Sequence, residues 1–157
     1  KKLKTEYQED LQLVIIGKKG WLYEEILESP KKFGVENRVT FLEGINDDEL
    51  AIFYKHALCY VLPSLYEGFG LPVLEAMRQG CPVITSRVSS MPEAGGEAAI
   101  YIDPEDSNDI SQKLVKVIND KDLRKQLIEK GKKQAVKFSW EKTAKETLKV
   151  LVDVAAK

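Results

Sequence analysis

The sequence predicts an α/β domain: a parallel sheet with helices on both faces. Short apolar runs without polar alternation recur along the chain, as strands buried on both faces require, and the stretches between them carry helical spacing over about ten residues. The first run, "LQLVIIG" (residues 11–17), is β-branched and ends in glycine; after a short loop, "WLYEEILESPKKF" sets Leu22, Ile26 and Leu27 at helical spacing. "RVTFLEG" (38–44) is the second strand, and "NDDELAIFYKHA" opens the next helix with the acidic start signature Asn46, Asp47, Asp48. "LCYVLPS" (58–64) is a strand stopped by Pro63, "CPVITS" (81–86) is the fourth and "AAIYIDP" (98–104) the fifth. From Asp106 the pattern is helical to the end, with a break near "FSW" (138–140), where Ser139 is the expected N-cap of a C-terminal helix over 139–157 anchored by Trp140. Alternation of this kind is that of an open, Rossmann-like sheet.

Composition excludes several classes of function. The 157 residues are 43% hydrophobic and 31% charged with a net charge of −1, the balance of an ordinary globular domain and not of a nucleic-acid binder. No stretch approaches the roughly 18 apolar residues of a membrane span. Cys59 and Cys81 each lie in an apolar run without metal-ligand spacing and read as small buried thiols of a reducing, cytoplasmic compartment. The opening "KKLKTEYQED" has the look of the polar second half of a helix, so the sequence is expected to be one domain, 1–157, cut from a longer polypeptide.

In open parallel sheets ligands bind at the carboxyl ends of the strands. Four loops gather there: "GKKG" (17–20), "EGIND" (43–47), "SLYEGFGLP" (64–72) and "SRVSSMPEAGG" (86–96). The third is the most informative. Gly68 and Gly70 free the backbone for positive φ, and Pro72 suits the first turn of the helix that follows. The amides of Phe69, Gly70 and Leu71 then form an anion site reinforced by the helix dipole. Glu75, one turn in, leans back toward the same mouth and suits a ribose diol; Glu67 stands before the turn, where a second polyol can be held. Spacing alone leaves a plain alternative, since glutamates favour helix starts electrostatically, and the turn lacks the Lys-Ser/Thr of a P-loop.

The segment "YVLPSLYEGFGLPVLEAMRQGCPVITSRVSSMPEAGGEAAIYIDPED" resembles the signature region of the retaining glycosyltransferases of family 4, of GT-B architecture, with their Glu-x7-Glu motif as Glu67 and Glu75. "LQLVIIGKKGWLYEEILE", "RVTFLEGINDDELAIFYKHA" and "KFSWEKTAKETL" resemble the same family in the same order, so the resemblance covers nearly the whole chain. "GKKGWLYEEI" with "SSMPEAGG" is most similar to mannosyltransferase-like members that build surface polysaccharides.

The resemblance implies the C-terminal, nucleotide-sugar donor domain of a hexosyltransferase. Glu75 would hold the ribose hydroxyls; the backbone of Gly68, Phe69, Gly70 and Leu71 would meet the diphosphate and sugar; Glu67 would be the catalytic carboxylate beside the reacting carbon; Glu43, Gly44 and Ile45 would line the base pocket. No cofactor or metal is implied, and no Asp-x-Asp motif is present. The first strand of such a domain, with its Gly-Arg loop and following lysine that clamp the diphosphate, has no counterpart here, nor has the domain that takes the glycan or lipid-linked acceptor. The chain alone is therefore expected to bind donor weakly and transfer little. The parent is expected in the cytoplasm, a peripheral position at the inner face of a membrane being compatible with that chemistry.

The remaining conspicuous residues read as structural. His56 closes a helix, Lys18 and Lys19 belong to a solvated loop, and in "NDKDLRKQLIEKGKKQ" Leu123, Leu127 and Ile128 turn inward. Arg78 and Arg87 are within reach of the phosphate loops but outside the motif. A non-catalytic nucleotide-sugar-binding or interaction module is the competing reading; a flavodoxin-like regulatory domain is disfavoured because no acidic phospho-acceptor cluster marks the strand ends.

Overall fold

A computed structural model describes residues 11–18, 20 and 23–156. The proposed opening helix, Lys19 and Leu22 lie outside them. The chain divides into two compact units, residues 1–52 and 53–157.

In the first unit β1 (Leu13–Ile16) and β2 (Val39–Leu42) pair in parallel, Leu13 opposite Val39 and Ile16 opposite Leu42. Between them run α1 (Glu24–Lys32) and a 3-10 turn (Glu36–Arg38). The apolar run of β1 predicts a strand covered on both faces, but Leu13, Val14 and Ile15 are 51%, 38% and 37% exposed. A two-strand ladder offers little cover, and Ile26 and Leu27 of α1 are exposed as well, Pro30 being that helix's one buried residue. α2 (Asp47–His56) begins in this unit and ends in the second, with His56 exposed at its end as expected.

The second unit holds the core. β3 (Tyr60–Leu62), β4 (Val83–Ser86) and β5 (Ala99–Ile102) form a parallel sheet with β4 in the centre. The sheet expected to be continuous thus consists, among the described residues, of a pair and a triplet of strands. Every residue of β4 is buried. Its Ile84 packs with Ile102, Val117 and Leu127, around which Val61, Ile100, Leu114 and Leu123 are arranged.

α3 (Leu71–Arg78) buries Val73, Leu74, Ala76 and Met77, so helical periodicity turns Glu75 and Arg78 outward. It packs on α6 (Lys121–Ala135) closely enough that a Cβ on Gly131 would stand 3.1 Å from Met77 Cγ. α4 (Met91–Gly95) and a 3-10 turn (Gly96–Ala98) lead into β5. α5 (Ser107–Asn119) ends before α6 because Asp120 leaves helical geometry and its carboxylate accepts the Leu123 amide at 2.8 Å, a break not anticipated in the charge-rich run. Leu127 is buried, with Leu123 and Ile128 half-buried, as that run predicts.

Ser139 caps α7 (Trp140–Ala155), accepting the Lys142 amide at 3.1 Å. Trp140, expected to anchor that helix, is 76% exposed instead: as the first helical residue it projects from the start of a helix none of whose residues is buried. Cys81 is buried and Cys59 partly so; both thiols are free, and burial pushes them up to about 12 and about 11.

Candidate functional site

Two strand-to-helix turns carry the residues singled out by the sequence. In the first unit β2 ends at Leu42, and Gly44 then takes φ +72° in open space, with Glu43 exposed and Ile45 half-buried beside it. The turn closes on itself. The Asn46 carbonyl oxygen of the side chain accepts the Glu49 amide and the Glu49 carboxylate accepts the Asn46 amide, each at 3.0 Å, a reciprocal cap that starts α2.

The turn in the second unit is built differently. The β3–β4 ladder reaches its last pair at Leu62 and Thr85, and Pro63 has no N–H with which to continue it. Hydroxyls of the neighbouring strand take over. Thr85 Oγ1 donates to the Leu62 carbonyl at 3.0 Å and Ser86 Oγ to the Ser64 carbonyl at 2.5 Å. Beyond the end of β4, Ser89 Oγ donates to the Glu67 carbonyl at 2.7 Å and accepts its amide at 3.2 Å, while Ser90 Oγ donates to the same carbonyl at 3.2 Å. Ser64 Oγ donates to the Glu67 carboxylate at 2.8 Å. Each net hydrogen bond is worth about 1 kcal/mol and each fully buried apolar side chain about 1.5–3 kcal/mol, so burial of α3 holds the element in place and the hydroxyls choose the path of the turn.

Gly70 ends the turn at φ +93° as the N-cap residue of α3, and no side chain caps the helix. A Cβ there would stand 2.5 Å from Met91 Cε, so only glycine suits both the backbone and the contact. Gly68 departs from expectation. Its φ is not positive, and its role is to leave open space, with nothing within 4 Å of a would-be Cβ. In the first turn Pro72 has no N–H and the Val73 amide donates to the Gly70 carbonyl at 3.0 Å, which leaves the Leu71 amide to water or a ligand at the positive end of the dipole. The Phe69 ring does not enter this mouth freely; it meets Phe138 edge to face at 5.7 Å. Leu71 is 43% exposed.

The two carboxylates share a neighbour. Burial pushes the Tyr60 phenol up to about 12, and the charges of Glu67 and then Glu75 add to the effect, so both glutamates act on one half-buried ring. Tyr54, edge-on to Tyr60 at 5.2 Å, is raised well above the ordinary tyrosine value, first by burial, then by Tyr60 and Glu75, and its hydroxyl points at Glu75 Oε2 over a long 3.5 Å. Both phenols stay protonated, so neutral O–H donors stand among acceptor-only carboxylates, a set suited to a ligand rich in hydroxyls.

The cations are directed elsewhere. Arg78 donates to the Phe138 carbonyl at 2.7 Å, and the Arg87 guanidinium lies 4.8 Å from the centroid of the Tyr101 ring. Lys18 is exposed in the first unit. Tyr54, Tyr60, Ser64, Ser89 and Ser90 are the site residues that sequence reasoning misses. The one available signal was the density of hydroxyls in "TSRVSS" as β4 runs out.

Parallel strands flanked by helices, with a helix N-terminus that no side chain caps at the carboxyl end of the sheet, place the chain in the α/β class whose ligands gather at that end. The chain belongs to the family described as Glycosyl transferases group 1, which matches residues 1–134. It is 36% identical over 136 residues to the O-antigen chain mannosyltransferase B of Escherichia coli, a match covering 87% of this chain and 36% of that relative. Sucrose-phosphate synthase from Thermosynechococcus elongatus has a similar structure, with a TM-score of 0.83 at 27% identity over 92% of this chain and 39% of that one. An Anabaena protein solved in complex with UDP-glucose shares the fold at 19% identity, with a TM-score of 0.81 over 90% of this chain and 41% of its own. The α/β architecture, parallel strands flanked by helices, is shared with these structures and is consistent with the C-terminal Rossmann-like half of a GT-B glycosyltransferase.

Proposed function

We propose that the chain is the donor-binding part of a retaining family 4 transferase that moves a hexosyl group, mannosyl first among candidates, from a nucleoside-diphosphate sugar to a glycan or lipid-linked acceptor. What supports this reading is the pair Glu67 and Glu75, in sequence one before and one a turn after Gly70, the N-cap residue of α3, and both raising the Tyr60 phenol. Glu75 takes the ribose diol, the Gly68 to Leu71 backbone meets the diphosphate and sugar, and Glu67 accepts from donor-sugar hydroxyls next to the reacting carbon. The Glu43, Gly44 and Ile45 turn is assigned the nucleobase on the resemblance. The transfer uses no metal or cofactor in this reading, the amides of the turn contributing to stabilisation of the departing diphosphate. The mannosyl assignment leans on the name of the Escherichia coli relative. As the chain spans 36% of that relative's length, the acceptor belongs to a region outside it, and this chain alone is expected to transfer little. No helix among the described residues is long and apolar enough to cross a membrane, and we place the parent in the cytoplasm, working at the inner membrane face.

The test is a titration of the full-length enzyme with UDP, GDP and ADP and with their sugars, in the wild type and two variants. Glu75→Ala weakens donor and free nucleoside diphosphate alike by about 1.5–3 kcal/mol, the size of lost charged hydrogen bonds. Glu67→Ala leaves the free nucleotide's Kd nearly unchanged and lowers kcat, because its contacts strengthen as the sugar becomes cationic in the transition state. Variants that melt many degrees lower while binding and turning over normally would make both glutamates helix-start charges only. Nucleotide-sugar binding without turnover by the full-length wild type would make the protein a binding module.

A further inference from the structure

The Glu67 backbone is held from outside its own turn, and the group that holds it sits in an unfavourable conformation. Ser89 is the one described residue other than glycine with positive φ, at 44°, a region where an L side chain costs about 1–2 kcal/mol. Asparagine, aspartate or glycine would occupy this position at lower cost. What the conformation achieves is visible in the hydrogen bonds. With φ positive, the Ser89 hydroxyl donates to the Glu67 carbonyl at 2.7 Å and accepts the Glu67 amide at 3.2 Å, closing both backbone groups of one residue with one side chain. Ser90 supplies the second proton to that carbonyl at 3.2 Å, so both of its lone pairs are used. Ser89 and Glu67 are 22 residues apart in the chain, and Ser89 remains exposed. Exposure means that the bonds contribute modestly to stability, water being an alternative partner for each group. A strained residue making solvent-replaceable bonds to one glutamate is better explained by where it puts that glutamate than by the stability it adds.

We propose that Ser89, assisted by Ser90, is a positioning residue for the transfer: its hydroxyl fixes the peptide groups of Glu67 so that the carboxylate, steadied in turn by Ser64, is aimed before substrate arrives. This rests on the reading of Glu67 as the carboxylate beside the reacting carbon. The adjoining contacts fit the role. Thr85 and Ser86 fix the start of the same turn at Leu62 and Ser64, Gly70 closes it against Met91, and the buried Gln134 side chain pins α4, just after the serine pair, by donating to the Glu93 and Ala94 carbonyls at 2.9 and 3.2 Å. The Glu67 turn is thus framed on both sides, and Ser89 is the contact that reaches the glutamate itself. Preorganised groups of this kind act on the chemical step, where misplacement by about 1 Å costs up to 10²-fold, and less on affinity for the ground state.

Ser89→Gly separates the two explanations, because glycine accepts φ 44° without strain yet has no hydroxyl. In the full-length enzyme, with the nucleotide sugar that it turns over, Ser89→Gly and the Ser89→Gly/Ser90→Ala double variant are compared with wild type and Glu67→Ala. The readouts are kcat, donor KM, melting temperature and hydrogen exchange of the Glu67 amide. Expected for Ser89→Gly are an unchanged or higher melting temperature, faster exchange at Glu67, a kcat about tenfold lower and a KM within about twofold of wild type, the double variant falling further. Wild-type kcat in Ser89→Gly while Glu67→Ala is inactive would overturn the positioning role and leave the reading of Glu67 standing. A kcat loss that tracks a lowered melting temperature would make Ser89 a stability residue and also overturn it. Full activity in Glu67→Ala would instead bring down the reading on which the proposal rests.

Discussion

The two strand-to-helix turns look alike in the sequence and are held by different forces. Each follows a short parallel strand, each contains a glutamate and a glycine with positive φ, and each leads into a helix with an apolar face. The turn at Gly44 is closed by residues within three positions of one another, Asn46 and Glu49. The turn at Gly70 is closed by Thr85, Ser86, Ser89, Ser90 and Met91, from the next strand, the loop after it and the first residue of α4. A locally capped turn carries its geometry with it, whereas one framed by a neighbour inherits its geometry from the sheet. The second arrangement suits a turn that must hold a carboxylate at a fixed place.

The glycines give the strongest test of this contrast. Gly70→Ala meets both backbone strain at φ +93° and the buried Met91 methyl, so it is expected to cost about 3 kcal/mol, read as a fall in unfolding free energy by denaturant titration. Gly44→Ala meets the strain alone, with nothing within 4 Å, and should cost about 1–2 kcal/mol in the same titration. Equal losses would show that Met91 yields freely and that the framing is loose. Asn46→Ala removes the local cap and is expected to cost about 1 kcal/mol, with faster amide exchange confined to the first turn of α2. Spread of that exchange to the Glu67 turn would erase the distinction between local and framed. The smallest effect is expected from the exposed pair Lys145 and Glu141 on α7: Lys145→Ala should change stability by less than about 0.5 kcal/mol.

β1 and β4 repeat the lesson in apolar residues. "LVII" and "VITS" both read as buried parallel strands, and the less hydrophobic of the two is the one fully covered. Burial follows position in the sheet: β4 has a strand on each side, and Val73 and Met77 of α3 and Met91 of α4 are fully buried around it, whereas β1 has one paired strand among the described residues. Pattern announces that a strand is apolar; the number of its neighbours decides how much water is removed from it.

Much of the architecture was present in the one-dimensional order of residues, because it depends on interactions of short range. All five strands, the stop at Pro63, the start of α2 at Asn46, the Ser139 cap and the placement of Glu75 one turn into α3 follow from periodicity, proline and glycine geometry and capping chemistry, each acting within about four residues. Tertiary structure alone decided which side chains hold Glu67, that Tyr54 and Tyr60 are raised by burial near the glutamates, that Trp140 lies exposed and that Arg78 and Arg87 turn to a carbonyl and a ring. A serine hydroxyl carries no periodicity or propensity that names a partner 22 residues away, and such a bond exists only after the sheet has set its register.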